Sequence, residues 1–185
     1  MVEDAKLMRL FQGAIDPYRI GRVLKETEDG FITNGHWGVR KELLECFECS
    51  QYVKGIISSN VKDLLEGVFK KREEEEVERN VAIYDDFQWY AVRTEVINRR
   101  KLAFYVLDVD VLFKKVLVLK SYVDFIEALV SDGGRGGKVR RRIYYVEVLR
   151  KNGSRKVESY FVWYVKGSEG EDKVIAVCMG CICPE

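Results

Sequence analysis

The sequence predicts an α+β protein built from repeated β-α-β-β-β units, with an antiparallel sheet and helices packed on one face of it. Three observations lead to this prediction. An apolar helical stripe occurs three times along the chain, a strand segment occurs twice, and the apolar runs between them end at turn residues. With 185 residues, 47% of them hydrophobic, the chain is long enough to bury a sizeable core.

The helical stripe first occurs at residues 7–15, where apolar side chains occupy positions i, i+3, i+4, i+7 and i+8. The same spacing returns at residues 61–69 and again at residues 122–130. Self-similarity with a period of about 55–60 residues predicts an internal repeat.

Turn residues separate the elements in the first third of the chain. An Asp-Gly turn signal joins predicted strands at residues 20–25 and 31–40. A short helical turn is expected at residues 41–47, and a further strand at residues 52–57. The first unit therefore reads helix, strand, strand.

The second helix is predicted to begin after Asn60, a residue type that caps helix N-termini, and to continue through the charged residues 70–76. Strands are expected after this helix at residues 81–84, 87–93, 102–113 and 116–119. Residues 90–97 also match residues 37–44 as aromatic, small, Val, Arg, any, Glu and two aliphatics. This second match, in the same order as the helical stripe, supports the repeat.

Ser121 is the predicted cap of the third helix, which ends in the Gly-containing segment at residues 131–134. Three long strands are expected after it, at residues 139–149, 156–165 and 173–183. The elements divide the chain into a truncated unit at residues 1–50 and two further units at residues 51–112 and 113–185. We expect the three units to pack as one globular domain.

Residues 32–36, Ile-Thr-Asn-Gly-His, leave the first hairpin turn. Together with the repeated units, this stretch resembles the DNA sliding clamp, the polymerase processivity factor, whose bacterial members carry a Thr-Asp-Gly-His-Arg-Leu type stretch in a comparable hairpin. Asn34 stands here in place of the acid, and Trp37-Gly38 in place of the basic-aliphatic pair. The resemblance implies two-layer units with helices on one face, and a role beside DNA without chemistry of its own.

A concentrated basic segment covers residues 133–142 and leads into two adjacent tyrosines. Glycines let a backbone approach phosphates closely, arginines bind phosphates in a bidentate manner, and tyrosines stack on bases. The candidate nucleic-acid contacts are Arg135, Lys138, Arg140, Arg141 and Arg142. The alternative is a hairpin loop with solvated surface arginines.

The overall charge and hydropathy narrow the class of protein. A net charge of +1 arises from 31 basic and 30 acidic residues, so a charged partner must be recognised by a local patch. No apolar run approaches the roughly 20 residues that cross a bilayer, and the start of the chain has no secretory signal pattern. We therefore expect a soluble, cytoplasmic protein whose five cysteines are reduced.

Four of the cysteines form two C-x-x-C pairs, Cys46 with Cys49 and Cys178 with Cys181. Four thiolates from two such pairs can surround a tetrahedral zinc ion, which would hold the end of the first unit beside the last strand. The alternative is a set of buried free thiols, because the segment around Cys178 is apolar on both strand faces and cysteine then behaves as a small hydrophobe.

Asp108 and Asp110 are the candidate catalytic residues. Two carboxylates two residues apart on a strand point to the same side, and with the preceding apolar run they resemble the metal-binding motif of nucleotidyl transferases and primases, which holds magnesium against phosphate oxygens. The alternative is a solvated strand face, because the intervening apolar residues already make a buried face. The only histidine, His36, lies upstream and is interpreted as a packed or capping residue.

Three hypotheses follow. The leading one is a non-enzymatic, DNA-binding or otherwise nucleic-acid-associated protein of clamp-like build and of viral or plasmid origin, without a cofactor, which also binds a protein partner or self-associates. The second is a magnesium-dependent nucleotidyl-transfer or nuclease-type enzyme around Asp108 and Asp110. The third is a zinc-stapled structural or interaction protein. A nucleoside triphosphate pocket is not expected, because the chain has no Walker-type lysine-serine pair.

Overall fold

The computed structural model describes residues 2–45, 49–70, 75–107, 116–131 and 138–182. Over these residues the protein is α+β, with three α-helices, two short 3₁₀ helices and twelve strands in two sheets. The predicted fold class is therefore confirmed.

The helices are α1 Val2–Ile15, α2 Val61–Gly67 and α3 Lys120–Ser131, and the 3₁₀ helices cover Lys41–Leu44 and Cys49–Tyr52. Within the described ranges, no helix has both the length and the apolar composition that crossing a bilayer requires.

The strands are, in chain order, β1 Leu24–Thr27, β2 Phe31–Thr33, β3 Trp37–Arg40, β4 Val53–Ile57, β5 Glu76–Asp85, β6 Trp89–Ile97, β7 Arg100–Leu107, β8 Val116–Leu119, β9 Arg140–Arg150, β10 Arg155–Lys166, β11 Asp172–Met179 and β12 Cys181–Ile182. Eight of them form a large sheet in the order β4-β1-β2-β3-β11-β10-β9-β5, and four form a small sheet in the order β12-β8-β7-β6. β1 and β4 pair in parallel, whereas the other described pairs are antiparallel. The large sheet is therefore mixed. A single antiparallel sheet was predicted, so the small sheet is an additional element.

The large sheet takes strands from all three predicted units. β1, β2 and β3 come from residues 1–50, β4 and β5 from residues 51–112, and β9, β10 and β11 from residues 113–185. Because β11 lies between β3 and β10, strands of the first and third units are neighbours in the same sheet.

Gly180 explains why the last predicted strand, residues 173–183, serves both sheets. β11 ends at Met179, and the chain then crosses to the small sheet, where β12 pairs with β8. A Cβ atom at Gly180 would lie 2.1 Å from Ser159 Oγ and 3.1 Å from the Leu117 carbonyl oxygen. The crossing point therefore has no room for a side chain.

The predicted strand at residues 31–40 is divided into β2 and β3. Asn34 turns the chain between them, because its Oδ1 atom accepts hydrogen bonds from the backbone N–H groups of His36, at 2.8 Å, and Trp37, at 3.0 Å. Such a side-chain-to-backbone turn replaces the ladder bonds that a continuous strand would make.

Two other predicted boundaries are wrong. The strand expected at residues 20–25 begins only with β1, because the Asp16 carboxylate accepts hydrogen bonds from the N–H groups of Ile20 and Gly21 and holds a loop there. Ser121 lies inside α3, which begins one residue earlier.

The large sheet is covered on both faces, whereas helices on one face only were predicted. Ile143 and Phe161 point into the main core, which the sheet shares with α1, α3 and the small sheet. Their neighbours Tyr144 and Val162 point to the other face, where α2 packs. Successive side chains of a strand alternate between faces, so β9 and β10 are apolar on both.

Side chains outside the helix hold α2 on this second face. The N-cap prediction is confirmed, because Asn60 Oδ1 accepts a hydrogen bond of 2.7 Å from the Asp63 N–H. The Asp29 carboxylate, in the turn between β1 and β2, accepts hydrogen bonds of 2.9 Å from the Val61 N–H and 3.1 Å from the Lys62 N–H. The free N–H groups of the first turn are thus bonded to a loop of the large sheet.

The second helix is shorter than predicted and is not equivalent to the other two. α2 ends at Gly67, before the charged residues 70–76, of which residues 71–74 lie outside the described ranges. Leu64 and Phe69 of its apolar stripe are 42% and 53% exposed. In contrast, α1 and α3 contact each other in the main core. The described structure therefore gives the predicted internal repeat no support.

Candidate nucleic-acid interface

The predicted basic segment forms the start of β9, and the structure divides it between two faces. Lys138 precedes the strand, and Arg135 lies outside the described residues. Strand alternation directs Arg141 toward α3, whereas Arg140 and Arg142 lie on the face that carries α2. The three consecutive arginines therefore do not form one patch.

Acidic side chains bond the first two arginines. Arg140 Nη2 lies 2.7 Å from Asp86 Oδ2, and Arg141 Nε lies 2.5 Å from Glu127 Oε1. The hydrogen bond between Arg140 and Asp86 raises the pKa of the guanidinium and lowers the pKa of the carboxyl group. A phosphate would have to displace a carboxylate at each of these arginines.

Arg142 is held more firmly than the other two arginines. It donates from Nε to Asp85 Oδ1 at 2.6 Å, from Nη1 to Asp172 Oδ2 at 3.1 Å and from Nη2 to the Tyr164 hydroxyl at 3.3 Å. Its guanidinium carbon also lies 4.6 Å from the centre of the Tyr164 ring. Burial disfavours the charged form, but the interactions of Arg142 with Asp85 and Tyr144 together outweigh this effect, so the pKa of Arg142 is raised.

Arg142 lies in an open groove between α2 and the large sheet, with a volume of about 310 Å³. We call it the α2 groove. Its lining residues are Lys62, Leu65, Glu66, Phe69, Arg142, Tyr144, Val162, Tyr164, Asp172 and Val174. One wall is helical and the floor consists of β9, β10 and β11.

Two aromatic side chains meet at one end of the α2 groove. The ring centres of Phe69 and Tyr144 are 5.5 Å apart, with the planes at 85° in an edge-to-face arrangement. Phe69 is 53% exposed and follows the last residue of α2 by two positions. A large apolar ring is therefore presented to solvent beside a second aromatic ring.

One lysine lines the groove and a second lies beside it. Lys62 is exposed on α2, and Lys166 stands at the end of β10, where its Nζ lies 2.5 Å from Asp172 Oδ1 and 6.0 Å from the Tyr164 ring centre. Glu66 and Asp172 also line the groove, so its charge is mixed. The arrangement offers stacking surfaces and an exposed lysine rather than a uniformly basic channel.

His36 lines a second cavity, of about 200 Å³, on the other side of α2. Arg22 Nη2 lies 2.7 Å from His36 Nε2, and the rings of Tyr18 and Tyr122 each lie 6.2 Å from the imidazole. Burial, assisted by the positive charge of Arg22, lowers the pKa of His36. The imidazole is thus packed as a neutral acceptor for Arg22, and the cavity is otherwise mainly apolar.

The structure describes only half of the predicted zinc site. Cys46 lies outside the described residues, as does the side chain of Cys49. Cys178 is buried in the main core, and burial raises the pKa of its thiol, while Cys181 is partly buried on β12. Among the side chains that the structure describes, no three His, Cys, Asp or Glu residues form a metal-binding group. The four-cysteine zinc site remains a prediction.

The candidate catalytic residues Asp108 and Asp110 fall in the segment after β7 that lies outside the described ranges. Their role as magnesium ligands therefore also remains a prediction.

Sequence reasoning missed Phe69, Lys62 and Lys166 as surface residues. Phe69 was assigned to the buried stripe of a long helix, yet the helix ends two residues before it. One feature of the sequence could have predicted part of the groove. Residues two apart on a strand share a face, so Arg142 and Tyr144 lie on one face of β9 and Arg141 lies on the other.

No protein family model, curated protein or solved structure matches this chain. The resemblance to the sliding clamp therefore stays a prediction from the sequence.

Proposed function

We propose that this protein is a cytoplasmic, non-catalytic nucleic-acid-binding protein that holds single-stranded segments in the α2 groove. The observation that carries the proposal is the exposed Phe69 ring standing edge-on to Tyr144 above a floor fixed by Arg142. Proteins that bind single strands combine such aromatic platforms with cations along the backbone path.

The aromatic pair supplies the contact to the bases. Phe69 presents an exposed ring, and the Tyr144 ring contacts it edge-to-face from the sheet. Each base has an apolar π-face, so stacking on Phe69 requires unpaired bases but no particular sequence. Duplex DNA, in which the bases are stacked on one another, should bind less well.

Lys62, rather than the arginines, supplies the phosphate contact. Arg142 already donates to Asp85, Asp172 and Tyr164, so its role is to fix the groove floor. Lys62 has an exposed, flexible side chain that can follow a phosphate backbone, whereas Lys166 is paired with Asp172 at 2.5 Å. One phosphate contact to a single strand predicts a slope of about −0.7 for log K against log salt concentration.

Fluorescence anisotropy with a short labelled oligothymidylate tests the stacking contact. The Phe69→Ala variant should bind about 5- to 160-fold more weakly, because loss of one base-stacking contact costs roughly 1–3 kcal/mol. Val96→Ala is the matched control, because Val96 is 69% exposed on β6 of the other sheet. Equal affinity of the Phe69→Ala variant and the wild type would contradict the proposal.

A second comparison separates the α2 groove from the basic segment predicted by the sequence. Arg141 faces α3 and bonds to Glu127, so Arg141→Gln should leave the affinity unchanged, whereas Lys62→Gln should lower it and flatten the salt dependence. If Arg141→Gln weakens binding and Lys62→Gln does not, the basic segment is the interface and the groove is not.

A further inference from the structure

The second cavity, of about 200 Å³, lies between α2, the chain that connects β4 to α2, and the large sheet. Its floor is buried, because Gly38 of β3 and Val177 of β11 are buried and pair with each other there. Leu64 and Met179 also line it and are exposed, so they mark its open side. We call it the Gly38 cavity.

Gly38 leaves space on the floor of this cavity. Its neighbours Trp37 and Val39 enter the main core, so a side chain at position 38 would point to the opposite face, where the cavity lies. A Cβ atom there would lie 3.4 Å from Val177 Cγ2 and 3.8 Å from Phe31 Cδ1, which are ordinary contacts. The φ angle of Gly38 is not positive, so the backbone does not require a glycine. What the glycine provides is room.

The helical wall of the cavity is fixed at both ends. The Asp29 carboxylate accepts hydrogen bonds from the first turn of α2. After the last turn, the Val68 carbonyl oxygen accepts a hydrogen bond of 2.9 Å from Arg79 Nη1, and the Arg79 side chain is itself buried and paired with Glu76. The cavity is therefore formed before any ligand enters it.

The described wall of the Gly38 cavity is free of charge. Asp, Glu, Lys and Arg make up 33% of the chain, yet none of them is among the fifteen described residues that line the cavity. His36 and Cys178 do line it. Burial lowers the pKa of His36 and raises the pKa of Cys178, so both side chains are neutral at pH 7.

Most polar side chains of the wall already have partners within the chain. Thr27 Oγ1 donates to Asp29 Oδ1 at 2.6 Å, and Thr33 Oγ1 donates to the Trp37 carbonyl oxygen at 2.5 Å. Asn60 caps α2. A charged molecule in the cavity would therefore lose its hydration without gaining an ionic partner.

We propose that the Gly38 cavity binds a small, uncharged and mainly apolar molecule about the size of a substituted benzene ring. An apolar cavity of about 150 Å³ holds benzene, so a volume of about 200 Å³ has room for a ring with one or two substituents. Sites for drug-sized ligands begin at about 300 Å³, so a larger molecule would not be enclosed. This site lies on the other side of α2 from the α2 groove and does not rest on the proposed function.

Nuclear magnetic resonance of protein labelled with ¹³C at the methionine methyl groups tests the site. The chain has three methionines, of which Met179 lines the cavity and Met8 packs against the main core. Titration with para-cresol should shift the Met179 signal until it saturates and should leave the Met8 signal unchanged. Benzoate, which is similar in size but charged, should give no saturable shift.

Two substitutions fill the floor of the cavity. Gly38→Val should bind para-cresol about 5- to 160-fold more weakly, because its methyl groups occupy the space of the ligand. Gly38→Ala adds one methyl group in ordinary contact and should bind with intermediate affinity; it decides the question if circular dichroism shows that the valine variant is misfolded. Ala91→Val, at an exposed position of β6 in the other sheet, is the matched control and should bind as the wild type does.

Three results would overturn the proposal. The Met179 signal of the wild type could fail to shift with para-cresol, benzoate could saturate the same signal equally well, or the folded Gly38 variants could bind para-cresol as tightly as Ala91→Val. A saturable shift of Met8 instead of Met179 would place the ligand in the main core and would overturn it as well.

Discussion

Asn34 is a buried amide whose side chain joins three parts of the fold. Its Nδ2 donates to the Ala14 and Ile15 carbonyl oxygens, at 3.2 and 3.1 Å, and to the Tyr122 hydroxyl at 3.3 Å. Its Oδ1 accepts from two backbone N–H groups in the turn before β3, which fixes the orientation of the amide. The end of α1, the turn and α3 therefore depend on one side chain.

The bonds of Asn34 predict that an acid cannot replace it. Asn34→Asp should lower the free energy of unfolding by about 3 kcal/mol or more at neutral pH, because the hydrogen bonds to the Ala14 and Ile15 carbonyl oxygens are lost and a buried carboxylate would face those oxygens instead. Urea unfolding monitored by tryptophan fluorescence measures the change. Asn80→Asp, at an exposed position of β5, is the matched control and should change stability by less than about 0.5 kcal/mol. An Asn34→Asp variant as stable as the control would contradict this account.

His36 predicts a pH dependence of stability. Because folding lowers its pKa below the ordinary value of 6.5, the unfolded chain binds the proton first. The stabilising contribution of neutral His36 is therefore fully present above pH 6.5 and is lost as the pH falls below this value toward the folded-state pKa. The nearby Asp16 carboxyl group, whose pKa is lowered from 3.8, titrates in a more acidic range.

The measurement is the melting temperature between about pH 7.5 and pH 5.5, compared with that of His36→Gln. Glutamine keeps an acceptor oxygen for Arg22 but does not titrate, so its melting temperature should fall less over this range. If the two proteins show the same fall, protonation of His36 is not its cause.

At the scale of elements, sequence patterns predicted helices and long strands but not their surroundings. The stripe of α3 is buried as expected, because Tyr122, Phe125 and Ile126 all enter the main core. The same stripe in α2 is only partly buried: Val61 and Val68 are buried, whereas Leu64 and Phe69 are exposed. The helix is also held by the Asp29 carboxylate in a distant turn. A residue that bonds to a helix over 30 positions away leaves no periodic signal.

Strands were predicted at residues 87–93 and 102–113, but the tight turn that joins β6 and β7 was not, and its backbone is strained. Its two turn residues, Asn98 and Arg99, both have positive φ, 51° and 63°, as a type I′ turn requires. Asparagine tolerates this conformation, but arginine is disfavoured in it, and no glycine marks the turn in the sequence.

Arg99→Gly should therefore raise the free energy of unfolding by about 0.5–1 kcal/mol, because glycine adopts a positive φ without a steric penalty. Lys101→Gly, at an exposed position within β7, should lower it by a similar amount, as glycine does inside a regular strand. Urea unfolding of both variants measures the two changes. A destabilised Arg99→Gly variant would show that the arginine side chain makes a contact worth more than the strain.

At the scale of the whole molecule, the α+β class followed from the sequence, but the division into two sheets did not. The chain changes sheets at Gly180, where Ser159 and Leu117 leave no room for a side chain. The sequence alone does not distinguish this glycine from the others in apolar segments. Likewise, the candidate interface depends on carboxylates at the end of β5, in α3 and in β11 that bond to Arg140, Arg141 and Arg142. The local sequence shows a basic segment. Only the fold shows that its arginines are paired with carboxylates of the same chain.

The main core links both sheets and predicts a single cooperative unfolding transition. Phe11 of α1, Phe104 of the small sheet and Phe161 of the large sheet belong to the same buried cluster, and Trp89 lies 5.5 Å from Phe161 across the two sheets. Calorimetry should give equal calorimetric and van't Hoff enthalpies, with a heat-capacity change of about 2.2–2.8 kcal/mol/K for a chain of 185 residues. Phe104→Ala should cost about 3–5 kcal/mol and shift the whole transition. If it creates a separate early transition instead, the small sheet unfolds independently and the shared core does not unite the molecule.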